Sequence, residues 1–441
     1  MDVSANMIWL FLFGSLLAGI PIFVSLGFST ILVLLFSDIP LNIIPLDMIK
    51  IMDMFPLLAI PTFILAGAIM EKGGMADQIV EVASIFVGRV KGGLALVTIL
   101  GCMFFAAMIG SGPGTVAAMG TLMYPAMVRQ GYAKRFAAGV CATGGTLGIL
   151  IPPSNPMIMY GVMANVSVGT MFMAGFVPGA LVGGVLMLTC YLIARKNNYT
   201  GSDKVYTTKE ALTIIKNNIW SLLAPVVILG GIYAGVFTAV EAAGVAVFYA
   251  LFVSIFINRK LTLEGLWEGI KLTNVTSATS MIIVGVSTLF GRFLTLYDVP
   301  QTVASFILSI SDNAFVVLLM ISILLFFLGM FMETLSTIVI LVPILLPVIV
   351  QLGIDPVHFG VIWVLTNEVA LLSPPLGANV FIAMTISGLS LEETTRGALP
   401  FMIVLILVVV MMLLLDDITL FLPRLIGGYQ GFINLFSFAF I

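Results

Sequence analysis

Four short stretches of this chain set small, hydroxylated or amide residues, together with glycine and proline, in the middle of apolar sequence. They are Gly110-Ser111-Gly112-Pro113-Gly114-Thr115, Ile151-Pro152-Pro153-Ser154-Asn155-Pro156, Glu333-Thr334-Leu335-Ser336-Thr337 and Ser373-Pro374-Pro375-Leu376-Gly377-Ala378-Asn379. Where a helix is interrupted, the half that ends leaves carbonyls free, and the half that begins leaves N–H groups free at a positive dipole end. Carbonyl and hydroxyl oxygens suit a hard cation such as Na⁺, and helix N-termini suit a carboxylate. Proline removes its own N–H and disfavours helix at the residue before it, so both double-proline motifs are expected to stay unwound. For Na⁺ the sequence nominates Ser111, Gly112, Pro152, Ser154, Asn155, Glu333, Thr337, Ser373, Pro374, Gly377 and Asn379. For an anionic substrate it nominates Ser111, Gly112, Gly114, Thr115, Pro153, Ser154, Asn155, Thr334, Ser336, Pro375, Asn379 and Arg292.

Ionisable side chains inside apolar runs mark either function or internal pairing. Glu333 stands at the third stretch where Ser111 stands in the first, as a cation ligand or as an anchor for the backbone there. Glu368, six residues before Pro374, serves either the same region or a domain interface. Arg292 is read as a partner for a substrate carboxylate, set against a snorkelling or interface arginine. Glu241 reads as a solvated end charge and His358, after Asp355-Pro356, as a loop residue. One histidine forms no metal cluster, and Cys102, Cys141 and Cys190 lie in separate apolar runs without a CxxC pair. With no nucleophile, base and orienting group in sight, neither an enzyme nor an organic cofactor is expected.

The elements that must hold these stretches come as a duplicated set. A shift of 222 residues places Pro125 on Pro347, Gly131 on Gly353, Pro152-Pro153 on Pro374-Pro375, Gly175 on Gly397 and Pro178 on Pro400. Residues 110–178 and 332–400 hold six prolines each and four superpose, where chance gives about half a match at a proline frequency of about 5%. Paired interruptions at matching places in two halves point to the binding site of a secondary transporter.

Of 441 residues, 61% are hydrophobic and 9% charged, so the chain reads as an all-α polytopic membrane protein embedded in a lipid bilayer. A net charge of −3 offers no basic surface for nucleic acid, and no GxxxxGK[ST] loop is present. The expected division begins with scaffold spans over 1–75, where Met7–Phe36 is a retained anchor kinked or divided at Pro21 and Asp38 to Asp53 is a loop. An interfacial arm follows over 76–93, with Ile79, Val82, Ala83, Phe86 and Val90 as its apolar stripe. The first transport repeat is 94–194, with a hairpin over 94–128 and a broken helix over 137–164. A cytoplasmic linker (195–218) and scaffold spans (219–297) come next, with spans at Ile219–Phe237, Val240–Ile257 and Thr276–Leu289. A second arm (298–313) carries Val299, Val303, Phe306, Ile307 and Ile310, and the second repeat (314–415) has its hairpin over 314–350 and broken helix over 359–386. Residues 416–441 form a C-terminal tail.

Charge suggests how the halves face. The linker and the Arg259-Lys260 loop are expected in the cytoplasm by the positive-inside rule. Counting spans back puts Arg129 to Arg135, with three positive charges, on that side, and its counterpart Gln351 to His358, which carries no lysine or arginine, outside. This is the arrangement of an inverted repeat with two re-entrant hairpins and two broken transmembrane helices.

Phe104-Phe105-Ala106-Ala107 leading into GSGPGTVAAMG, Tyr124-Pro125, Gly131 to Ala138, Gly144 to Ser154, Gly353 to Gly360 and Pro374 to Asn379 resemble the large membrane subunit of tripartite ATP-independent periplasmic (TRAP) transporters, the DctM-like family. The resemblance runs from about Phe55 to Pro400. It implies a Na⁺-coupled, elevator-type importer of organic acids in a bacterial inner membrane, in which a mobile transport domain moves against a scaffold. It implies two partners, a small four-helix membrane subunit, here expected as a separate chain, and a periplasmic substrate-binding protein. By position it assigns Ser111, Gly112, Ser154, Asn155, Gly377 and Asn379 to Na⁺. The chain departs from many relatives at Pro113, where they carry a small residue or serine. The alternative expectation is a one-component Na⁺/dicarboxylate symporter of similar architecture.

Overall fold

The computed structural model describes residues 3–36, 40–202, 206–375, 377–429 and 431. Leu376 of the second double-proline motif, residues 203–205 of the linker, and 430 and 432–441 of the tail lie outside the described residues. Among those described, every regular element is helical.

The N-terminal anchor is two helices, α1 (Val3–Leu17) and α2 (Ile22–Leu35), packed on each other. Pro21 sits at the N-cap of α2, where its missing N–H costs nothing, so the run divides rather than kinks. The stretch expected as a loop, Asp38 to Asp53, contains α3 (Ile43–Met52), whose acidic Asp47 is buried. A 3₁₀ turn at Phe55–Leu58 leads into α4 (Ala59–Lys72), and α5 (Met75–Val87) is the first arm.

Six helices then run α5, α6 (Gly93–Ile109), α7 (Gly112–Arg129), α8 (Lys134–Leu150), α9 (Asn155–Met163) and α10 (Val168–Lys196). The interruption expected over Gly110–Thr115 is only Gly110-Ser111, because Gly112, Pro113 and Gly114 already form the first turn of α7. Proline fits that turn, since its N–H would have no partner there anyway. Between the halves stand α11 (Thr208–Asn217), α12 (Ile219–Tyr233), α13 (Ala239–Phe252, continued by a π turn at Val253–Ile257) and α14 (Leu263–Leu296). The linker is therefore partly helical. α14 begins well before the expected Thr276 because Thr262 caps it by accepting from Gly265 N at 3.0 Å. Glu241 closes a capping box with Thr238 at the exposed start of α13, in keeping with an end charge.

The second half repeats the order with α15 (Val299–Ile310), α16 (Ala314–Gly329), α17 (Thr334–Gln351), α18 (Pro356–Ala370), α19 (Ala378–Ser387) and α20 (Leu391–Leu414), and α21 (Asp417–Ile426) follows. Thr334 to Thr337 are likewise the opening of α17 rather than a break within it. His358 is not a loop residue: it lies buried in the first turn of α18, with Nδ1 2.7 Å from Thr419 Oγ1. Asp355 caps that turn by accepting from Val357 N and His358 N, and this extends the helix over a segment whose polarity suggested a loop.

Both arms are helical, but their apolar stripes are only partly covered. Met75, Ala76, Ile79, Val82 and Ala83 of α5 are buried while Phe86 is 65% exposed. In α15 the buried set is Val299, Pro300, Ala304 and Ile307, with Phe306 and Ile310 exposed. Six described helices are long and apolar enough to cross a membrane: Phe55–Lys72 (3₁₀ turn included), α10, α13 with its π turn, α14, α17 and α20. The two halves interlock, with α17 against α9, and α19 against both α7 and α8. On the other side α4 packs on α13 and α14, and α14 packs on α2, α3 and α17.

Candidate functional site

The first tip is built by a helix end and a helix start. Gly110 closes α6 in the left-handed region at φ 67°, a conformation glycine adopts without penalty. Ser111 caps α7 by accepting from Gly114 N at 3.3 Å, and Thr115 Oγ1 donates to Ser111 O at 2.9 Å. The tip is tied to the neighbouring broken helix, because Asn155 N donates to Gly110 O at 3.3 Å. Ser154 caps α9 by accepting from Met157 N at 3.3 Å. α8 supplies the floor: a Cβ at Gly148 would lie 2.5 Å from both Ser111 O and Thr115 Oγ1, so only glycine lets the tip settle there.

The tip backs onto the second half. A Cβ added to Gly112 would stand 3.0 Å from Glu368 Oε2 and 3.3 Å from Asn379 Oδ1. Glu368, on α18, is fully buried and its Oε2 accepts from Asn379 Nδ2 at 3.3 Å. Thr334, the first residue of α17, faces the same carboxyl without closing a hydrogen bond. One step along α18, Asn367 Nδ2 donates to Thr337 Oγ1 at 3.0 Å, and Trp363 Nε1 donates to the same oxygen at 3.3 Å. Thr337 in turn donates to Thr334 O at 2.9 Å, so the start of α17 is braced from α18.

What remains unsatisfied is chemically consistent. Asn155 Oδ1, Asn367 Oδ1, Glu368 Oε1 and Asn379 Oδ1 are buried oxygens without a hydrogen-bond partner, and so is Thr334 Oγ1. Buried polar atoms are nearly always paired, and unpaired ones call for an explanation such as an ion. The three amide oxygens can only accept, and the carboxyl oxygen only accepts when ionised. A buried carboxylate needs a positive partner or a proton, and Glu368 makes no salt bridge with a basic side chain among the described residues. The donor set is oxygen only, which fits a hard monovalent cation. Among the described residues no group of three or more histidine, cysteine or acidic side chains could hold a metal ion.

The nominated residues thus separate. Gly112, Asn379 and Thr334 come together around Glu368, while Ser111 and Thr115 bond to each other over Gly148, with Gly114 in the α7 cap and Thr337 in the brace. Pro152, Pro153, Ser154 and Asn155 are buried beside the first tip, and both double-proline bonds are cis. Ser336 is buried within the first turn of α17. Ser373 turns away, donating to Met402 Sδ at 3.0 Å, and Pro374 and Pro375 are exposed at the surface. Gly377 folds the break back on itself: a Cβ there would meet Leu371 O at 2.6 Å. Glu333 occupies the N-cap of α17 without capping it. Arg292 is paired with Asp47 of α3, which commits its guanidinium to a contact between α3 and α14 rather than to the tips. Asn367, Trp363 and the α8 glycines are site residues that the sequence does not single out. The adjacent polar pair Asn367-Glu368 in an apolar helix was the available signal for the first.

Comparison with known proteins places this geometry in context. The family described as the tripartite ATP-independent periplasmic transporter, DctM component, matches residues 8–418. The C4-dicarboxylate TRAP transporter large permease protein DctM of Pseudomonas aeruginosa is 39% identical, over 91% of this chain and 94% of that protein. The sialic acid TRAP transporter large permease protein SiaM of Vibrio cholerae is 38% identical, over 94% of this chain and 97% of its own length. The isethionate TRAP transporter permease protein DctMQ of Oleidesulfovibrio alaskensis is 38% identical over 88% of this chain, which spans only 62% of that longer protein. In fold, the YdaH transporter of Alcanivorax borkumensis aligns with a TM-score of 0.63 over 88% of both chains at 12% identity.

Proposed function

The chain belongs to the DctM component family of tripartite ATP-independent periplasmic transporters, and from that premise we propose that it is the translocating subunit of a Na⁺-coupled importer of a small organic acid. The chain is a multi-pass protein of the inner membrane. C4-dicarboxylates, sialic acid and similar carboxylates are the substrate class, following the relatives' names. The partners are a small four-helix membrane subunit and a periplasmic binding protein that delivers substrate.

The observation that carries the cation is the pair of buried, unpartnered oxygens Glu368 Oε1 and Asn379 Oδ1, on side chains that are hydrogen-bonded to each other beside Gly112 of the first tip. Na⁺ bound there neutralises the Glu368 carboxylate and is held by Asn379 Oδ1 and the backbone of the first tip. Asn155 Oδ1 and the carbonyls beside the first double proline supply a second oxygen-lined position. With the tips so ordered, the N–H groups at the starts of α17 and α19, which no side chain caps, are aimed at a substrate carboxylate. Each net positive charge carried inward gains about 2.3 kcal/mol per 100 mV of membrane potential. The matching helix order of the two halves supports an inverted repeat with re-entrant hairpins at α6–α7 and α16–α17. Those hairpins and broken helices move as one elevator body against α1–α4 and α12–α14.

Uptake of succinate and of N-acetylneuraminate into vesicles holding this chain, its small subunit and its binding protein tests the proposal. Uptake is expected to require both the binding protein and an inward Na⁺ gradient. Undiminished flux without the gradient refutes the coupling, and full flux without the binding protein supports a one-component symporter instead. Asn155→Ala and Asn379→Ala are each expected to raise the half-saturating Na⁺ concentration about 10-fold, the usual scale for loss of a supporting ligand.

A further inference from the structure

The linker between the halves contains a helix that the transport cycle as described leaves without a role. No residue of α11 is fully buried: Ala211, Ile214 and Ile215 are half-buried against the protein, and Leu212 is 63% exposed. Its side chains are nonetheless sorted by face. At about 100° per residue, Ala211, Leu212, Ile214 and Ile215 fall on one arc. Lys209 and Lys216 fall together on the flank next to Leu212, and Glu210 and Asn217 fall opposite. This is the pattern of a helix lying in an interface with lysines reaching out of it.

The surroundings say which interface. α12 follows after a bend of 56°. Its first turn carries Trp220, 42% exposed, whose carbonyl accepts from Tyr249 Oη at 2.6 Å. Exposed tryptophan beside tyrosine at a span's end marks the headgroup level of a bilayer. α11 therefore leaves α12 at that level, and a ten-residue helix with two lysines and a glutamate cannot turn into hydrocarbon. Arg195 and Lys196 are exposed in the last turn of α10, where the linker begins.

We infer that α11 is a membrane-surface anchor, with Leu212 set into the acyl boundary and Lys209 and Lys216 bound to anionic lipid headgroups. The consequence reaches the first arm. α11 packs against α5, and the residue between α11 and α12, Asn218, donates to Glu81 of α5 at 2.9 Å. Headgroups that hold α11 hold the depth of that arm.

The test uses the full chain in lipid nanodiscs with a spin label at Leu212→Cys and, as reference, at Asn217→Cys. The three native cysteines are buried, which leaves the introduced thiol as the reactive one. Accessibility to oxygen and to a water-soluble nickel chelate is then measured in phosphatidylcholine with and without phosphatidylglycerol. Position 212 is expected to be open to oxygen and shielded from nickel, with position 217 the reverse. Phosphatidylglycerol is expected to favour the immersed population by about fivefold per lysine, a response that Lys209→Gln/Lys216→Gln abolishes. Three results overturn the inference: nickel access at 212 equal to that at 217 in both lipids, shielding of 212 from both reagents by covering protein, or a full phosphatidylglycerol response in the double variant.

Discussion

In the first half Ser111 and Ser154 cap the helices that leave the two breaks, whereas in the second half α17 and α19 start at Glu333 and Gly377 with no side-chain cap. The first double proline is buried and the second is exposed. The arms differ in the same sense. α5 is bound to its neighbours through Gln78 Nε2 donating to Asn258 Oδ1 at 2.9 Å, Ser221 donating to Gln78 Oε1, Asn218 donating to Glu81, and Lys260 with Asp77. In α15 the hydroxyls of Thr302, Ser305 and Ser309 donate only to carbonyls of their own chain turn. One order of helices has thus been finished in two ways at its breaks: in the first half a serine caps each helix that leaves a break, and in the second those helix starts are left open. The open half is where ligands have most to gain.

The sharpest break in the likeness is Glu368, whose place in the first half is taken by Thr146, a residue that donates to Thr143 O within its own helix. Copying the first half into the second, Glu368→Thr, removes the buried carboxylate while keeping a residue that the same fold accommodates elsewhere. Na⁺-dependent uptake is expected to fall at least about 100-fold, the upper range for lost metal-site residues, with the protein still monodisperse on size exclusion. Uptake within a few-fold of the parent would show that the charge is not used and that the two halves differ only in packing.

How far the sequence exposed this asymmetry depends on what kind of signal each feature leaves. The duplication was legible because proline and glycine are rare enough for four superposed prolines to stand out, and the helix order follows the shift of 222 residues closely. Helix starts are harder to place from sequence: Pro113 and Thr334 look like interruptions and are first-turn residues, which composition cannot distinguish. α3, α11 and the first turn of α18 escaped because polar residues on short helices resemble loops until a cap such as Asp355 is seen to close them. Glu368 was visible as an acid in an apolar run, but its contact with Gly112 joins residues far apart in the chain, and no local spacing encodes that. The sequence leaves Arg292 open between a substrate partner and an interface arginine for the same reason, and its pairing with Asp47 of α3 matches the second.

The difference between the arms is open to a smaller perturbation. Gln78→Ala removes two side-chain bonds from α5, each worth about 1 kcal/mol net and more if Ser221 stays buried without a partner. A loss of about 2 kcal/mol is expected in reversible unfolding by steric trapping, against no more than a few tenths for Ser305→Ala in α15. Equal losses at the two positions would mean that the arms are held alike and that the polar bolts on α5 are ornamental.

The subtlest contrast is between the tips themselves, and it separates capping from ligand binding. Ser111 and Glu333 occupy the same place in the two halves, yet only the serine accepts a bond from the helix it precedes. Ser111→Ala is therefore expected to destabilise the chain by about 1 kcal/mol, and Glu333→Ala by a few tenths at most, when both are measured in Na⁺-free buffer so that no cation contributes. Adding saturating Na⁺ stabilises any state that binds it by mass action. The stabilisation by Na⁺ is expected to shrink in Glu333→Ala if that carboxyl reaches the cation, and to be unchanged if it serves only the backbone of α17. A cap-sized loss at Glu333 without Na⁺ would place a capping bond there after all, and the second half would then be as self-satisfied as the first.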